Sequence, residues 1–318
     1  KSGTCRLSDD EGGICSPCDG PSTIASGDFI AMELSQNLIK AKRPCADGYK
    51  WFLRNRDDGS DYQRLLDALV RADRVADACW LLQQFGPTDA VLMLNALDAK
   101  ALVFAGTVIV KGSVDVESVI RVGHSIRVGA GIRAGTAIVA GTDIDCGGNV
   151  YSGGSIEAGD DIKASWGVEA ETRIDCGGNL RAGWYVTAGE RISTHGNLFA
   201  GDGITAQGAI HCGRGIRAGE SIDGQHDIIA GCGIEAGGAI HAGQHLEAGW
   251  GIKAKGSIIA EGAIKAGEGI QTEEDILTGA GYGIYAGLNV RVDAWDDCAR
   301  IIARQKPTEL ISGSWGPG

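Results

Sequence analysis

Four cysteines near the start of the chain are of the residue type that binds a metal ion. Cys15 and Cys18 form a Cys-x-x-Cys pair, and Cys5 and Cys45 are the other thiols of this region. Four thiolates bind zinc tetrahedrally, whereas two thiols can form a disulfide. A second Cys-x-x-Cys pair does not occur in the sequence. We keep three alternatives open, a zinc site, an oxidised pair and no site, and expect no other cofactor.

Three histidines could also carry chemistry. His226, His241 and His245 fall on the same side of neighbouring turns when the chain is divided into 18-residue turns. Histidine can act as a general base or as a metal ligand. However, no carboxylate has an obvious orienting position beside them, and no inserted loop builds the concave pocket that ligand sites need. We interpret them as solvent-facing side chains, and the sequence favours a binding protein over an enzyme.

Aromatic residues form the most promising recognition feature. Trp166 and Trp184 are 18 residues apart and Tyr185 follows the second, whereas Trp250 belongs to a different corner of the predicted turns. Exposed aromatic side chains are enriched at protein interfaces. We predict that the two tryptophans stack and that these four residues contact a partner. The alternative is that a neighbouring loop or a terminal arm of the chain covers them.

A six-residue repeat positions all of these side chains. An aliphatic residue recurs every six residues without interruption from Leu102 to Ile276, and a small residue, usually Ala, follows two positions later. Strand side chains alternate, so the large and the small residue of each unit point inward. Cys146, Cys176 and Cys212 take the small inward position and act there as core residues. Glycine commonly follows and permits a bend.

This unit, Ile-x-Ala-Gly-x-x, resembles the repeat of hexapeptide β-helix proteins. We therefore expect a mainly β protein, a three-sided single-stranded parallel β-helix of about ten 18-residue coils. The resemblance implies either a self-assembling scaffold like the bactofilin-type cytoskeletal proteins or a hexapeptide-repeat acyltransferase with histidine catalysis. In the acyltransferase pattern the small inward residue precedes the aliphatic residue, whereas here it follows.

The ends of the chain predict a different structure. Residues 1–44 form a polar, cysteine-containing segment that we expect to be loosely ordered, and residues 45–100 predict a small α-helical cap domain. Three amphipathic helical runs indicate a cap that covers the first coil. The alternative is that these helices form a separate binding module. The β-helix is expected over residues 101–290. Residues 291–318 complete the chain as a C-terminal cap and tail.

One face of the predicted β-helix alternates in charge. Mixed-sign neighbours of this kind usually form a solvated ladder, and we assign that face no function. Its outward residues are Arg127, Asp145, Lys163, Arg181, Arg217, Glu235 and Lys253.

Composition limits the partners. The formal net charge is −12, which argues against nucleic acid and anionic membranes and suits a basic protein. No apolar run reaches the length of a membrane span. Cysteines in core positions indicate reduced thiols and hence the cytoplasm. We therefore expect a non-enzymatic protein-binding β-solenoid, for example an immunity-type protein that neutralises a basic protein toxin. The scaffold and the acyltransferase are the alternatives.

Overall fold

The computed structural model describes residues 34–55 and 61–317. Four short helices come first, and the chain then winds into a parallel β-solenoid with three sheets of 13, 11 and 12 strands. The helices are α1 (Gln36–Ala41), α2 (Ala46–Asn55), α3 (Tyr62–Arg71) and α4 (Val75–Phe85). Eleven turns contribute one strand to each sheet in a fixed order, and the strands that follow them belong to the 13- and 12-stranded sheets. The predicted three-sided, mainly β architecture is confirmed.

We number the sheets I, II and III in the order in which the chain reaches them. The strands of sheet I are Val91–Leu94, Thr107–Val110, Ile126–Val128, Ile144–Cys146, Ile162–Ala164, Leu180–Ala182, Leu198–Ala200, Ile216–Ala218, Ile234–Ala236, Ile252–Ala254, Ile270–Gln271, Arg300–Ala303 and Ser314–Pro317. The strands of sheet II are Leu97–Ala99, Val114–Val116, Ile132–Ala134, Val150–Ser152, Val168–Ala170, Val186–Ala188, Ile204–Ala206, Ile222–Gly224, Ile240–Ala242, Ile258–Ala260 and Ile276–Thr278. The strands of sheet III are Leu102–Phe104, Val119–Val122, Ala137–Ala140, Ser155–Ala158, Ile174–Cys176, Ile192–Thr194, Ile210–Cys212, Ile228–Ala230, Leu246–Ala248, Ile264–Ala266, Ile284–Tyr285 and Leu310–Ser312.

The core of the solenoid follows the repeat. In the strand Ile162–Ala164, for example, the aliphatic and the small residue are buried and Lys163 between them is exposed. Ile162 aligns with Ile144 in the preceding turn and with Leu180 in the next, so aliphatic side chains stack along the axis. The predicted inward positions of Cys146, Cys176 and Cys212 are confirmed because all three side chains are buried in this core.

The solenoid has about 13 turns rather than the predicted ten, because the six-residue register breaks at both ends. In the first turn Val91 aligns with Thr107 and Leu97 with Val114, so this turn is shorter than 18 residues. At the other end Ile270 aligns with Ile301, which makes that turn much longer. A search for a constant six-residue spacing misses such turns.

The predicted boundaries change accordingly. Strands begin at Val91, ten residues before the expected start of the β-helix, and α1 forms within the segment that we expected to be loosely ordered. At the C-terminal end, where the sequence predicts a cap and tail, the chain forms a 3-10 turn (Val292–Ala294) and a fifth helix, α5 (Trp295–Cys298). Sheets I and III continue past α5 through Arg300–Ala303, Leu310–Ser312 and Ser314–Pro317.

The helical cap closes the first edge of sheet III. The Gln63 side-chain amide donates to the Val103 carbonyl at 3.1 Å, and its oxygen accepts from the Ala105 amide at 2.9 Å. One side chain thus takes the place of a neighbouring strand at an edge that would otherwise expose paired donors and acceptors. Behind it, Leu65, Leu66 and Leu82 form the apolar core of the cap. Among the described helices, none has the length and hydropathy needed to cross a membrane.

We predict that Ile204→Asp and Ile222→Asp each lower the free energy of unfolding by several kcal/mol. Both aliphatic side chains are fully buried, so the substitution places an unpaired carboxylate in an apolar core. His211→Asp is the matched control, because His211 points outward between Ser193 and Ile229. We expect this control to stay within about 0.5 kcal/mol of the wild type. Urea unfolding measures all three, and equal stabilities would contradict the assignment of inward and outward faces.

Candidate functional site

The corner between sheets I and II carries a pair of stacked tryptophans. Trp166 and Trp184 each lie two residues after a strand of sheet I, at equivalent bends of adjacent turns. Their ring centres are 5.3 Å apart and the rings are within 6° of parallel, which confirms the predicted stacking. Each tryptophan is 47% exposed among the described residues. The solenoid therefore holds two indoles in a fixed, parallel and partly exposed arrangement.

Tyr185 extends this aromatic surface toward sheet II. Its ring lies against the backbone of Gly167, where an added Cβ atom would come within 2.5 Å of the ring carbon Cζ. The hydroxyl donates to Glu169 Oε2 at 3.5 Å. Burial and the negative charge of Glu169 both raise the pKa of Tyr185, so the phenol stays protonated. We call the surface of Trp166, Trp184 and Tyr185 the tryptophan corner.

The side of the tryptophan corner that faces sheet II is acidic. Glu169 lies between Tyr151 and Thr187 in register, and Glu171 follows at the end of the same strand. The hydroxyl of Tyr151 donates to Glu171 Oε1 at 3.2 Å, while the Arg133 guanidinium lies 5.8 Å from the centre of the Tyr151 ring. A partner that covers the tryptophans thus meets carboxylates on one side of them.

Trp250 lies apart from the tryptophan corner. It follows a strand of sheet III and precedes a strand of sheet I, so it occupies another corner, as the sequence predicts. Its side chain is 58% exposed and lines a groove that runs beside sheet I. The four predicted contact residues therefore belong to two surfaces.

The predicted charged face is the outer face of sheet I. Arg127, Asp145 and Lys163 occupy the outward position of successive strands. Lys163 pairs with Asp145 at 3.9 Å, and Arg217 forms an ion pair with Glu235. Exposed pairs of this kind contribute about 0–1 kcal/mol each, so they contribute little to stability.

His226 and His245 lie at the corner between sheets II and III, whereas His241 lies on a strand of sheet II. The His245 ring nitrogen Nδ1 accepts a hydrogen bond from the Ala263 amide at 3.0 Å, and the ring contacts Tyr282 edge-on. His241 points outward from sheet II beside Asp223. In the part of the chain that the structure describes, no three His, Cys, Asp or Glu side chains are placed to hold a metal ion.

The cysteines singled out in the sequence are core residues of the solenoid or residues near the start of the chain. Cys5, Cys15 and Cys18 lie outside the described residues, whereas Cys45 is exposed and its Sγ accepts from the Gly48 amide at 3.2 Å. Burial raises the pKa of Cys176 to about 11, and its thiol donates to the Asp160 carbonyl at 3.0 Å. Burial raises the pKa of Cys146 as well, so Cys146 and Cys176 are protonated core side chains.

A ladder of hydrogen bonds at the corner between sheets III and I was missed in the sequence. Its rungs are side chains 18 residues apart, each accepting from the backbone amide of the next turn: Asp143, Asp161, Asn179 and Asn197. The 18-residue spacing of Asp and Asn just before the aliphatic position is the signal that reveals it. The ladder ends where Asn197 accepts from Gly215 at 3.2 Å.

Comparison with known protein families finds a match in the helical cap. Residues 32–86 match the family described as the YdhT N-terminal domain. This match covers the described helices α1 to α4 and no strand of the solenoid. No curated protein sequence matches the chain, and no solved structure matches it either.

We predict that Gly167→Ala displaces the Tyr185 ring and leaves the solenoid folded. The added methyl group would overlap the ring, whose far end can swing outward, so we expect a cost of about 1 kcal/mol. Gly131→Ala is the control, because it has the same place in the repeat and its nearest contact would be an ordinary 3.5 Å. The ring resonances of Tyr185, assigned by comparison with Tyr185→Phe, should move in the first variant alone. Unchanged resonances in both variants would contradict the packing of Tyr185 on Gly167.

Proposed function

We propose that this protein is a non-enzymatic β-solenoid that binds another protein through the tryptophan corner. The observation that carries the proposal is the pair of parallel, half-exposed indoles on adjacent turns. Tryptophan and tyrosine supply much of the binding energy at protein interfaces. Because the solenoid already holds both rings in place, binding a partner costs little side-chain entropy at these two residues.

The charge around the corner supports a basic partner. The chain has a formal net charge of −12, and Glu169 and Glu171 lie beside the aromatic rings. Complementary charge accelerates association and disfavours acidic competitors. We propose in particular an immunity-type protein that neutralises a basic protein toxin. The reduced inner thiols support the cytoplasm as the compartment in which it acts.

The Trp184→Ala variant tests the proposal. We expect it to weaken binding of the protein partner by about tenfold or more, because a contact tryptophan contributes about 1.4 kcal/mol or more. Leu277→Ala is the control, because Leu277 is 52% exposed on sheet II and lies several turns away. Affinity capture from the native cell, followed by titration of the captured protein, measures both. Equal affinities for wild type and Trp184→Ala, with unchanged melting temperatures, would refute the role of the corner.

A self-assembling scaffold is the second candidate, and the open edges of sheet I favour it. Within the described residues, Val91–Leu94 and Ser314–Pro317 each pair with a strand on one side only. Met93 is 54% exposed on the first of them. Unpaired edges of this kind can join strands of a second copy.

Sedimentation velocity over a wide range of concentrations tests the scaffold. End-to-end assembly predicts that the mass grows with concentration and that Met93→Lys abolishes the growth, because lysine blocks edge pairing. Met93 and Trp184 lie on different turns, so the Trp184→Ala variant should still assemble. A mass that remains that of one chain at all concentrations would eliminate this candidate.

A further inference from the structure

A groove of about 970 Å³ runs along the corner between sheets III and I over the C-terminal half of the solenoid. Its floor consists of four glycines at the same position of successive turns: Gly215, Gly233, Gly251 and Gly269. One wall is formed by the corner residues Arg214, Cys232, Trp250 and Glu268, and the other by the outward residues Arg217, Glu235, Lys253 and Gln271 of sheet I. Asp297 and Cys298 of α5 close the C-terminal end. We call this the glycine-floored groove.

The groove begins where the ladder of Asp and Asn side chains ends. In the preceding turns, each amide at this position donates to a side-chain oxygen from the turn before, up to the bond from Gly215 to Asn197. Glycine has no side chain to continue the ladder. The amides of Gly233, Gly251 and Gly269 therefore have no acceptor among residues 34–55 and 61–317. Three backbone donors, one turn apart, are left for a ligand or for water.

The walls of the groove carry more positive charge than the rest of the protein. The lining includes the cations Arg214, Arg217, Lys253 and Arg300 and the carboxylates Glu235, Glu268 and Asp297. Arg217 pairs with Glu235. Arg214, Lys253 and Arg300 have no carboxylate oxygen within 4.0 Å in the described part of the chain. A chain with a net charge of −12 thus presents unpaired cations in this groove.

Trp250 gives the groove one aromatic platform. Its ring, unlike those of Trp166 and Trp184, stacks on no other aromatic ring among the described residues. Lys253 of the opposite wall belongs to the same turn. A ligand ring with an apolar face could stack on this indole, and a negative charge at the edge of that ring would lie near Lys253.

We propose that the glycine-floored groove binds an extended acidic polysaccharide, with a uronate ring on Trp250. The carboxylates of the sugar pair with Arg214, Lys253 and Arg300. Its hydroxyl groups donate to Glu235, Glu268 and Asp297, and its ring and hydroxyl oxygens accept from the three glycine amides. The chain runs parallel to the solenoid axis and presents about one sugar to each turn. This site is independent of the tryptophan corner.

Two other anionic polymers fit the groove less well. The donors repeat every turn, about 4.8 Å, whereas an extended peptide rises about 3.3 Å per residue and presents like groups every second residue. An acidic peptide therefore falls out of register with the donors. A DNA strand has no hydroxyl groups along its backbone for the three wall carboxylates, and binding of single strands usually needs several aromatic platforms. The groove has one.

Calorimetric titration of the full chain with defined hexasaccharides tests the proposal. The probes are oligogalacturonate, oligomannuronate and hyaluronan, with maltohexaose as the neutral control. We expect at least one acidic probe to bind and the neutral probe not to bind. Affinity should fall about tenfold in Trp250→Ala and in Lys253→Gln, and it should weaken with added salt. Trp184→Ala is the matched control and should bind as the wild type does.

Three results would overturn the proposal. The first is absence of binding by every acidic hexasaccharide, and the second is binding that Trp250→Ala leaves unchanged at an unaltered melting temperature. The third is tighter binding of a glutamate hexapeptide or of single-stranded DNA, lost in Trp250→Ala, which would assign the groove to that polymer. Sugar binding is tested by Trp250→Ala and protein binding by Trp184→Ala. Because the two residues lie on different surfaces, either proposal can fail without the other.

Discussion

The rest of the structure depends on one constraint, the stacking of each inward aliphatic side chain on the equivalent side chain of the next turn. Ile162 packs between Ile144 and Leu180, and each such side chain contributes about 1.5–3 kcal/mol by leaving water. This packing keeps the strands of successive turns in register, so every residue is also held about 4.8 Å from its equivalent in the next turn. The outer surface is consequently a set of side-chain columns whose spacing the core determines.

Each column is continuous or interrupted according to the residues that occupy it. At the corner between sheets I and II, two adjacent tryptophans form a stacked pair. At the corner between sheets III and I, Asp and Asn continue a hydrogen-bond ladder until Gly215 ends it and the groove begins. The same backbone thus produces a projecting aromatic pair in one column and a hollow in another. A solenoid without inserted loops can therefore still have a concave surface. Glycine at the same position of successive turns leaves one column without side chains, and the columns on either side become the walls of a groove.

The sequence was sufficient to predict those features that follow from the constant six-residue spacing. The 18-residue separation of Trp166 and Trp184 was sufficient to predict their stacking, and the small inward position was sufficient to predict burial of Cys176. The α-helical cap was predicted from three amphipathic runs, and helices α2, α3 and α4 lie in that part of the chain. The end turns were missed because their lengths depart from 18 residues, with Val91 aligned with Thr107 and Ile270 with Ile301. The groove was missed because glycine is common throughout the repeat. Whether a glycine opens a hollow depends on the side chains of neighbouring turns, which a search for six-residue units does not compare.

The two candidate surfaces differ in the kind of ligand that each can hold. The tryptophan corner projects from the solenoid beside Glu169 and Glu171, so a partner must bring its own concave surface and positive charge to it. The groove is concave and carries unpaired cations, so its ligand must be slender and anionic. They lie on different corners, and between three and four turns, roughly 18 Å, separate Trp184 from Trp250 along the axis. Because the stacked core keeps that distance fixed, a ligand in the groove has no evident way to reshape the corner. We therefore expect the two surfaces to be occupied independently, with the solenoid serving as a rigid spacer between them.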